Sequence, residues 1–380
     1  MTLLDVCELI VDCPHSTAPD EGQGYPLIRT PNIGKGRLIL EGVHRVSKEI
    51  YDKRNERAVP KKNDLILARE APVGNVAIIK GDQEVCLGQR TVLIRPNIDI
   101  VDPDFLVYYL LSPEVQHVLI NSANGATVSH LNMSAIRKLA VNLPKIEEQR
   151  KIGRILSSLA DKIEINKQIN RNLQEQAEAI YKKLIVDEAD DRWTEGSLSD
   201  IADIIMGQSP KGDTYNENGE GTVFYQGRGE FGARFPTRRL FTSEPKRMAQ
   251  TNDVLMSVRA PVGDFNVAYE SCCIGRGLAA IRSKDNHQSY ILYTTISLQE
   301  ALNMYNGEGT VFGSINKDSL NGILVNIPPL AVMDEFEKAV KPIDEIIRNS
   351  YEEICRLTDL RDAILPRLMS GELDVSDIDI

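Results

Sequence analysis

The chain has 380 residues, a formal net charge of −11, 42% hydrophobic and 26% charged residues, which is typical of a water-soluble globular protein. No apolar run approaches the roughly 20 residues that a membrane span needs, and the N-terminus lacks a basic segment. Six cysteines without a CxxC pair argue against a disulfide framework and a zinc site. We therefore expect a cytoplasmic protein with no membrane partner.

The acidic charge is unevenly distributed. Most of the excess lies in residues 330–380, and the rest of the chain contains basic patches at 29–62 and 228–247. A negative total therefore does not exclude a nucleic-acid partner, because phosphates require only a local basic surface. We expect the acidic C-terminal segment to face protein partners or to lie away from nucleic acid.

Residues 1–144 alternate short apolar or β-branched runs with Gly, Pro and Asp, which is typical of a mixed α/β domain with short strands. The run DLILAREAPVG at 64–74 predicts a strand and a turn, in which Gly74 can take positive φ. The loop PLIRTPNIGKGRL at 26–38 supplies polar and basic side chains, namely Arg29, Thr30, Asn32, Lys35 and Arg37.

Residues 145–191 predict one long helix. No proline occurs in 146–186, and apolar residues recur at steps of four and three, the a/d pattern of a coiled coil. Asparagine in such a seam costs stability but fixes register, which predicts a partner helix held in one alignment. The predicted seam contains Leu156, Leu159, Ile163, Asn166, Asn170 and Leu173.

Ile165 and Ile169 form a second apolar stripe on the same predicted helix. This stripe suits docking of another protein, and burial against the chain's own domains is the alternative. About forty residues of helix would span roughly 60 Å.

Residues 192–329 repeat the first domain. DVLMSVRAPVG at 253–263 matches DLILAREAPVG, and EGTVFGSINKDSLNGILVNIP at 308–328 matches NGATVSHLNMSAIRKLAVNLP at 124–144. These matches indicate a duplication with a repeat of about 185 residues. The loop VFYQGRGEFGARFPTRRL at 223–240 differs from its counterpart and supplies Tyr225, Gln226, Arg228, Arg234, Arg238 and Arg239.

Residues 330–380 predict a second long helix and an acidic tail. Its predicted seam contains Ile343, Ile347, Ser350, Ile354 and Leu357. Two copies related by a twofold axis would place the long helices antiparallel. The predicted fold is α+β, with α/β domains at 1–144 and 192–329 joined by long antiparallel helices at 145–191 and 330–380. These helices would form a coiled coil with internal pseudo-twofold symmetry.

No arrangement typical of an active site is present in the sequence. It lacks a G-x-x-x-x-G-K-[ST] phosphate loop and an HExxH pair, and His44 and His130 have no histidine counterpart in the second copy. Asp64 and Asp253 recur at equivalent positions before a strand. Turn capping is one interpretation, and metal binding in a stand-alone nuclease is the alternative.

Two similar domains with different loops suit a protein that reads two different DNA half-sites. Arginine can bond guanine through two hydrogen bonds, and asparagine or glutamine can bond adenine in the same way. Spare basic side chains can hold phosphates. A coiled-coil scaffold that binds only proteins is a further alternative.

The segment 125–186 resembles the specificity (S) subunit of type I restriction–modification systems. The resemblance lies in the spacing of its hydrophobic residues, followed by NLPKIEEQRKI at the start of the predicted long helix. The loop at 26–38 and the ending LPRLMSGELDV at 365–375 are also similar to that family, and the resemblance covers essentially the whole chain. The second copy differs from this family pattern, because the corresponding segment PPLAVMDEFEKAV has no Glu-Gln pair.

The resemblance implies two target-recognition domains, each reading one half of a split double-stranded DNA site, and a helical spacer that sets the distance between the halves. It implies no catalytic residue, metal or cofactor in this chain. Two methyltransferase (M) subunits and restriction (R) subunits would supply the chemistry with S-adenosylmethionine, ATP and Mg. Docking of partner subunits is expected at Glu148, Gln149, Ile165 and Ile169. Inserting four residues near Asn166 is then expected to lengthen the recognised spacer.

Overall fold

The structure, a computed structural model, describes residues 1–123, 130–190, 193–307 and 313–378. The chain divides into two compact units: unit 1 is Met1–Lys167 with Glu352–Ile380, and unit 2 is Gln168–Tyr351. The matched repeat segments at 124–144 and 308–328 begin at residues outside the described ranges. The predicted boundary between 191 and 192 also lies outside them.

Unit 1 contains a mixed sheet and a smaller sheet. The order of the larger sheet is β1-β8-β5-β6-β3, and that of the smaller one is β4-β2-β7. The strands are β1 (Cys7–Asp12), β2 (Tyr25–Ile28), β3 (Gly36–Arg37), β4 (Arg45–Val46), β5 (Leu65–Ala68), β6 (Val76–Ile78), β7 (Cys86–Leu87) and β8 (Thr91–Pro96). The helices are α1 (Lys48–Arg54), α2 (Pro103–Leu111), α3 (Pro113–Asn121), α4 (Met133–Arg137) and the long α5 (Ile146–Tyr181). The turns of α5 continue as a π-helix over Lys182–Asp187, within unit 2.

Unit 2 repeats this plan. Its sheets have the orders β10-β18-β15-β16, β11-β13-β12-β17-β14 and β19-β9. The strands are β9 (Thr194–Ser197), β10 (Ala202–Met206), β11 (Tyr215–Asn216), β12 (Thr222–Tyr225), β13 (Phe241–Thr242), β14 (Met248–Ala249), β15 (Val254–Ser257), β16 (Phe265–Val267), β17 (Cys272–Ile274), β18 (Leu278–Ser283) and β19 (Leu324–Ile327). The helices are α6 (Leu198–Ile201), α7 (Gln288–Ser297), α8 (Gln299–Asn303), α9 (Lys317–Asn321) and the long α10 (Leu330–Met369).

β5 of the five-stranded sheet in unit 1 and its counterpart β15 of the four-stranded sheet in unit 2 are inner strands buried on both faces. Leu65 and Leu67 of β5 belong to the core beneath the helices, whereas Ile66 belongs to the core shared by the two sheets. In β15, Val254 and Leu255 divide between two cores in the same way. Successive strand residues face opposite sides of a sheet, so burial on both faces explains the continuous apolar runs in the sequence.

The repeated Ala-Pro-Val-Gly tetrapeptide connects two antiparallel strands in each unit. It lies between β5 and β6 in unit 1 and between β15 and β16 in unit 2. Gly74 and Gly263 have φ values of +91° and +92°, a region that favours glycine. The interpretation of this motif as a turn between strands is therefore confirmed.

The two long helices pack against each other in antiparallel fashion within each unit. In unit 1, Leu156 near the start of α5 shares a core with Leu365 near the end of α10. In unit 2, Tyr181 at the end of α5 lies edge-on to Phe336 near the start of α10, with ring centroids 5.6 Å apart. The predicted long antiparallel helices are confirmed.

The predicted seam residues lie on the packed faces of these helices. Leu156, Ile163, Asn166 and Ile347 are buried. The remaining predicted seam residues are half-buried, namely Leu159, Asn170, Leu173, Ile343, Ser350, Ile354 and Leu357. Asn166 donates a hydrogen bond from Nδ2 to Oε2 of Glu353 at 2.7 Å, so this polar position joins α5 to α10 within unit 1.

Each long helix contributes one part to each compact unit, because its apolar face is buried against the sheet-containing domain of that unit as well as against the other helix. The predicted division at 144, 191 and 329 follows secondary structure and stays a prediction. In the part of the chain that the structure describes, no helix has both the length and the apolar character needed to cross a membrane.

Candidate nucleic-acid interface

An aspartate–arginine pair supports the same turn in both units. Asp64 accepts a hydrogen bond from the backbone N–H of Lys61 at 2.9 Å and two from the guanidinium of Arg95. Asp253 accepts one from the N–H of Gln250 at 2.7 Å and two from Arg282. The turn-capping interpretation of both aspartates is therefore confirmed.

These two carboxylates are buried and fully engaged, so they offer no open position to a metal ion. Among the described residues, no group of three or more His, Cys, Asp or Glu side chains is arranged to hold a metal. The geometry gives no support to the stand-alone nuclease interpretation.

The loop at 26–38 exposes only part of its predicted contact set. Lys35 is exposed, and Arg29 and Thr30 are half-buried. Asn32 is buried, where its Oδ1 accepts from the N–H of Arg29 and its Nδ2 donates to the carbonyl of Ile39, each at 3.1 Å. Asn32 therefore shapes the loop from within, and its amide is unavailable to a base.

The loop at 223–240 places most of its polar side chains at the surface. Gln226, Arg228, Arg238 and Arg239 are exposed, whereas Tyr225 is buried on β12. The three exposed arginines form ion pairs within the same unit: Arg228 with Asp264, Arg238 with Glu270, and Arg239 with Glu230. The pairs of Arg228 and Arg238 are exposed on both sides, whereas Glu230, the partner of Arg239, is buried. Exposed ion pairs contribute about 0–1 kcal/mol, so a ligand phosphate or base can compete for Arg228 and Arg238.

The side chains of Arg37 and Arg234 differ from those of the other basic loop residues, because both point inward and contact a long helix. Arg37 bonds Asp161 on α5 at 2.6 Å, with its Nη1 3.5 Å from the hydroxyl of Tyr108. Arg234 bonds Asp344 on α10 at 2.5 Å, with its Nη1 3.4 Å from the hydroxyl of Tyr293. The two arginine side chains are only 12% and 11% exposed.

The electrostatics of these inward contacts keep Arg37 charged and both phenols neutral. Burial acts to lower the pKa of Arg37, but Tyr108 and Asp161 outweigh it, so this pKa is raised. Burial raises the pKa of Tyr108 and of Tyr293. A neutral Tyr293 hydroxyl can donate to Asp344, and it lies 3.0 Å from Oδ1.

The chain matches a family model for the type I restriction modification DNA specificity domain twice, over residues 1–175 and 190–356. The chain belongs to this family. It is a specificity subunit and is not the catalytic component of a restriction–modification enzyme. The two matches agree with the duplication that the sequence predicts.

Relatives with the same description match over nearly their whole length. The putative type I restriction enzyme MjaX specificity subunit of Methanocaldococcus jannaschii is 31% identical over 399 residues, which cover 98% of this chain and 93% of that protein. The type I restriction enzyme HindI specificity subunit of Haemophilus influenzae is 23% identical, with 82% and 87% covered. The crystal structure of an S subunit from M. genitalium shares the fold, with a TM-score of 0.60 at 16% identity over 97% of this chain and 95% of that one.

The residues predicted to dock partner subunits differ in their availability. Ile165 and Ile169 are 55% and 41% exposed on α5, and Glu148 is half-buried near the start of that helix. Gln149 is 2% exposed. Its Oε1 accepts from the N–H of Asp102, and its Nε2 donates to the carbonyls of Ile100 and Pro144. In the specificity subunit, Gln149 therefore anchors α5 to the first domain and is not free for a partner.

Sequence reasoning missed the residues on which the inward arginines rest. Asp161 and Asp344 lie on solvent-facing positions of the predicted heptads, and neither tyrosine belongs to a loop. A signal was nevertheless present, because Tyr108 and Tyr293 occupy matching places in the two copies, in the helix that follows β8 in unit 1 and β18 in unit 2.

Proposed function

We propose that the specificity subunit reads an asymmetric, two-part site on double-stranded DNA, with one half read by each recognition domain. The domains are those predicted at 1–144 and 192–329, with the helical segments 145–191 and 330–380 as spacer. One observation carries the proposal: both units share the same frame, yet expose different side chains on the corresponding loops. A shared frame with different contact residues suits two different base sequences.

The contact residues in this proposal are the predicted loop residues whose side chains are exposed or half-buried and do not turn inward onto a long helix. They are Arg29, Thr30 and Lys35 in the first domain and Gln226, Arg228, Arg238 and Arg239 in the second. Arginine and glutamine can read guanine and adenine edges in the major groove, and lysine can hold a phosphate. Four predicted contact residues are buried or point inward and are therefore not proposed to contact DNA, namely Asn32, Arg37, Tyr225 and Arg234.

Partner subunits complete the proposed activity. Specificity subunits of type I systems act together with methyltransferase and restriction subunits, and we propose two methyltransferase subunits for this chain. Glu148, Ile165 and Ile169 remain the proposed docking residues, since they are accessible on α5. S-adenosylmethionine, ATP and Mg would be bound by the partners.

The proposal is tested by co-expressing the specificity subunit with its methyltransferase subunit and mapping methylated bases in host DNA by sequencing. We expect one split motif with two unlike halves. Arg228→Ala is expected to relax base preference in one half only, with Arg29→Ala as the matched variant for the other domain. A continuous motif, or relaxation of both halves by Arg228→Ala, would count against the proposal.

The two alternative functions give different outcomes. A stand-alone nuclease would cleave DNA with Mg²⁺ when the specificity subunit is assayed alone. A scaffold that binds only proteins would give no sequence-dependent gel shift in the presence of the methyltransferase subunit.

A further inference from the structure

The inward arginines form two matching contacts between a recognition domain and a long helix. We call Arg37, Tyr108 and Asp161 the first helix clamp, and Arg234, Tyr293 and Asp344 the second helix clamp. Each clamp lies wholly within one compact unit. In each, a loop arginine meets a tyrosine hydroxyl and an aspartate on the helix.

The two arginines occupy the same place in the fold. Arg37 lies opposite Ile78 on β6, and the carbonyl of Arg234 accepts from the N–H of Val267 on β16. Ile78 and Val267 are equivalent, because each pairs with the first residue of the neighbouring central strand, Leu65 or Val254. The clamps have thus been kept at one position while the surrounding loops differ.

The backbone next to the first clamp is adapted to bring the tyrosine ring close. Gly36 has a φ of +96°, and a Cβ at this position would lie 3.1 Å from the ring of Tyr108. A larger residue would push the ring away from Arg37. The local glycine therefore serves the clamp.

The second clamp borders a poorly filled region. A cavity of about 620 Å³ lies between the strands of the second domain and α10, and Arg234, Asp344 and Arg348 line it. Arg348 also donates from α10 to the carbonyl of Tyr269 at 2.7 Å. Beside this cavity, polar contacts from Arg234 and Arg348 join the domain to α10, next to the apolar core that the domain and the helix share.

Both arginines are nearly buried, and Asp344 is 18% exposed, whereas Asp161 is 54% exposed, so the second clamp is the drier of the two. The bonds of the two arginines fix direction as well as distance. A guanidinium is planar and donates along set directions, so its bonds to a tyrosine and an aspartate restrict rotation of the domain on the helix. Removing one partner leaves the other charge in a partly dry site, which favours a shift of the domain.

We propose that Arg37 and Arg234 are positioning residues that hold each recognition domain in one orientation on its long helix, and thereby restrict the spacer lengths that the specificity subunit accepts. The inference rests on the proposed reading of a split site. In this inference the two loop arginines set the orientation of the domains and do not contact bases.

The test uses the complete complex with methyltransferase subunits and oligonucleotides whose spacer is shortened or lengthened by one base pair. For Arg234→Gln and Arg37→Gln, we expect the preference for the native spacer to fall about tenfold, within the range of coupling shown by contacting charged residues. Base preference within each half-site stays unchanged. Arg234→Lys keeps the charge and is expected to retain part of the preference.

Arg282→Lys is the control, because Arg282 lines the same cavity but donates its side-chain hydrogen bonds to Asp253 inside the second domain. It is expected to leave the spacer preference unchanged even where the melting temperature falls. If Arg234→Gln lowers methylation equally on oligonucleotides of every spacer length, so that the preference is unchanged, the inference is overturned. If Arg234→Gln fails to fold, Asp344→Asn and Tyr293→Phe test the same clamp.

A readout without DNA separates this inference from the proposed function. The amides of Ser289 and Tyr290 donate to Glu337 on α10 at 3.3 and 3.2 Å, so tilting of the domain breaks these bonds. Their hydrogen exchange is expected to accelerate in Arg234→Gln and not in Arg282→Lys; equal exchange in both would overturn the clamp. A wild-type complex that methylates no split site would instead refute the proposed function.

Discussion

Arg95 donates two hydrogen bonds to the carboxylate of Asp64, at 2.8 and 2.7 Å, beneath the turn that precedes β5. Asp64 is 2% exposed, and its remaining bond caps the turn through the N–H of Lys61. Arg282 and Asp253 repeat this arrangement in unit 2. The pair is a property of the duplicated frame and is independent of the loops that differ.

Asp64→Ala is expected to destabilise unit 1 by about 3 kcal/mol, because breaking a buried pair leaves an uncompensated charge and an uncapped turn. The free energy of unfolding, measured with urea, checks this value. Asp99→Ala is the matched control, since Asp99 is exposed. A loss below about 1 kcal/mol, the level of a surface pair, would contradict the assignment.

The repeated frame could be predicted from sequence because its signals are local. Apolar runs such as 65–68 and 254–257 are short and bounded by turn residues, and the four-three spacing in 146–186 extends over many turns. The antiparallel pairing of the helices followed from the duplication. These features need no knowledge of distant contacts.

The direction of individual loop side chains could not be predicted. Arg37 bonds a residue 124 positions away, and Arg234 bonds one 110 positions away. The same guanidinium chemistry that suits guanine also suits an aspartate on a helix, so residue type alone does not separate the two roles. Gln149 was misjudged for the same reason, since an amide can serve three backbone groups as well as a partner protein.

The thiols of Cys7 and Cys86 are expected to resist modification in the folded specificity subunit. Burial raises the pKa of Cys7 to about 12 and of Cys86 to about 11. The thiolate is the reactive form, so at pH 8 a thiol with a pKa of 12 is ionised in only about one molecule in ten thousand.

Ellman's reagent at pH 8 checks this expectation. Cys355, which is half-buried, is expected to react first, and Cys7 and Cys86 only after unfolding in urea. Cys355→Ser is the control, because it removes the early reaction. Fast labelling of Cys86 in the native protein would contradict the buried environment.

Lys35 is expected to contribute to DNA affinity through phosphate. Each phosphate contact lowers the slope of log K against log salt by about 0.9 for duplex DNA. Lys35→Ala should therefore make the salt dependence of binding by the complex less steep by about one unit, with similar losses on different base sequences. Lys162→Ala is the control, since Lys162 lies on α5 and pairs with Glu353. An unchanged slope, measured by fluorescence anisotropy at several salt concentrations, would remove Lys35 from the interface.

The helical spacer gives the most direct test of how site length is set. An insertion in α5 alone would displace Asn166 from Glu353, because the two helices pair in antiparallel fashion. We therefore expect matched insertions, one beside Asn166 and one beside Glu353, to be tolerated best. Seven residues restore the a/d seam, whereas the four-residue insertion near Asn166 that the sequence suggested leaves the seam rotated, so the pairing of the helices revises that expectation.

Seven residues add about 10 Å of helix, which corresponds to about three base pairs of duplex DNA. The recognised spacer is expected to lengthen by that amount, with both half-sites unchanged, because the insertions touch neither recognition loop. Methylation mapping of host DNA measures the new motif directly. The single insertion beside Asn166 is the control and is expected to lower stability and activity together. If the matched variant folds and methylates the original site with its original spacing, the long helices do not set that spacing.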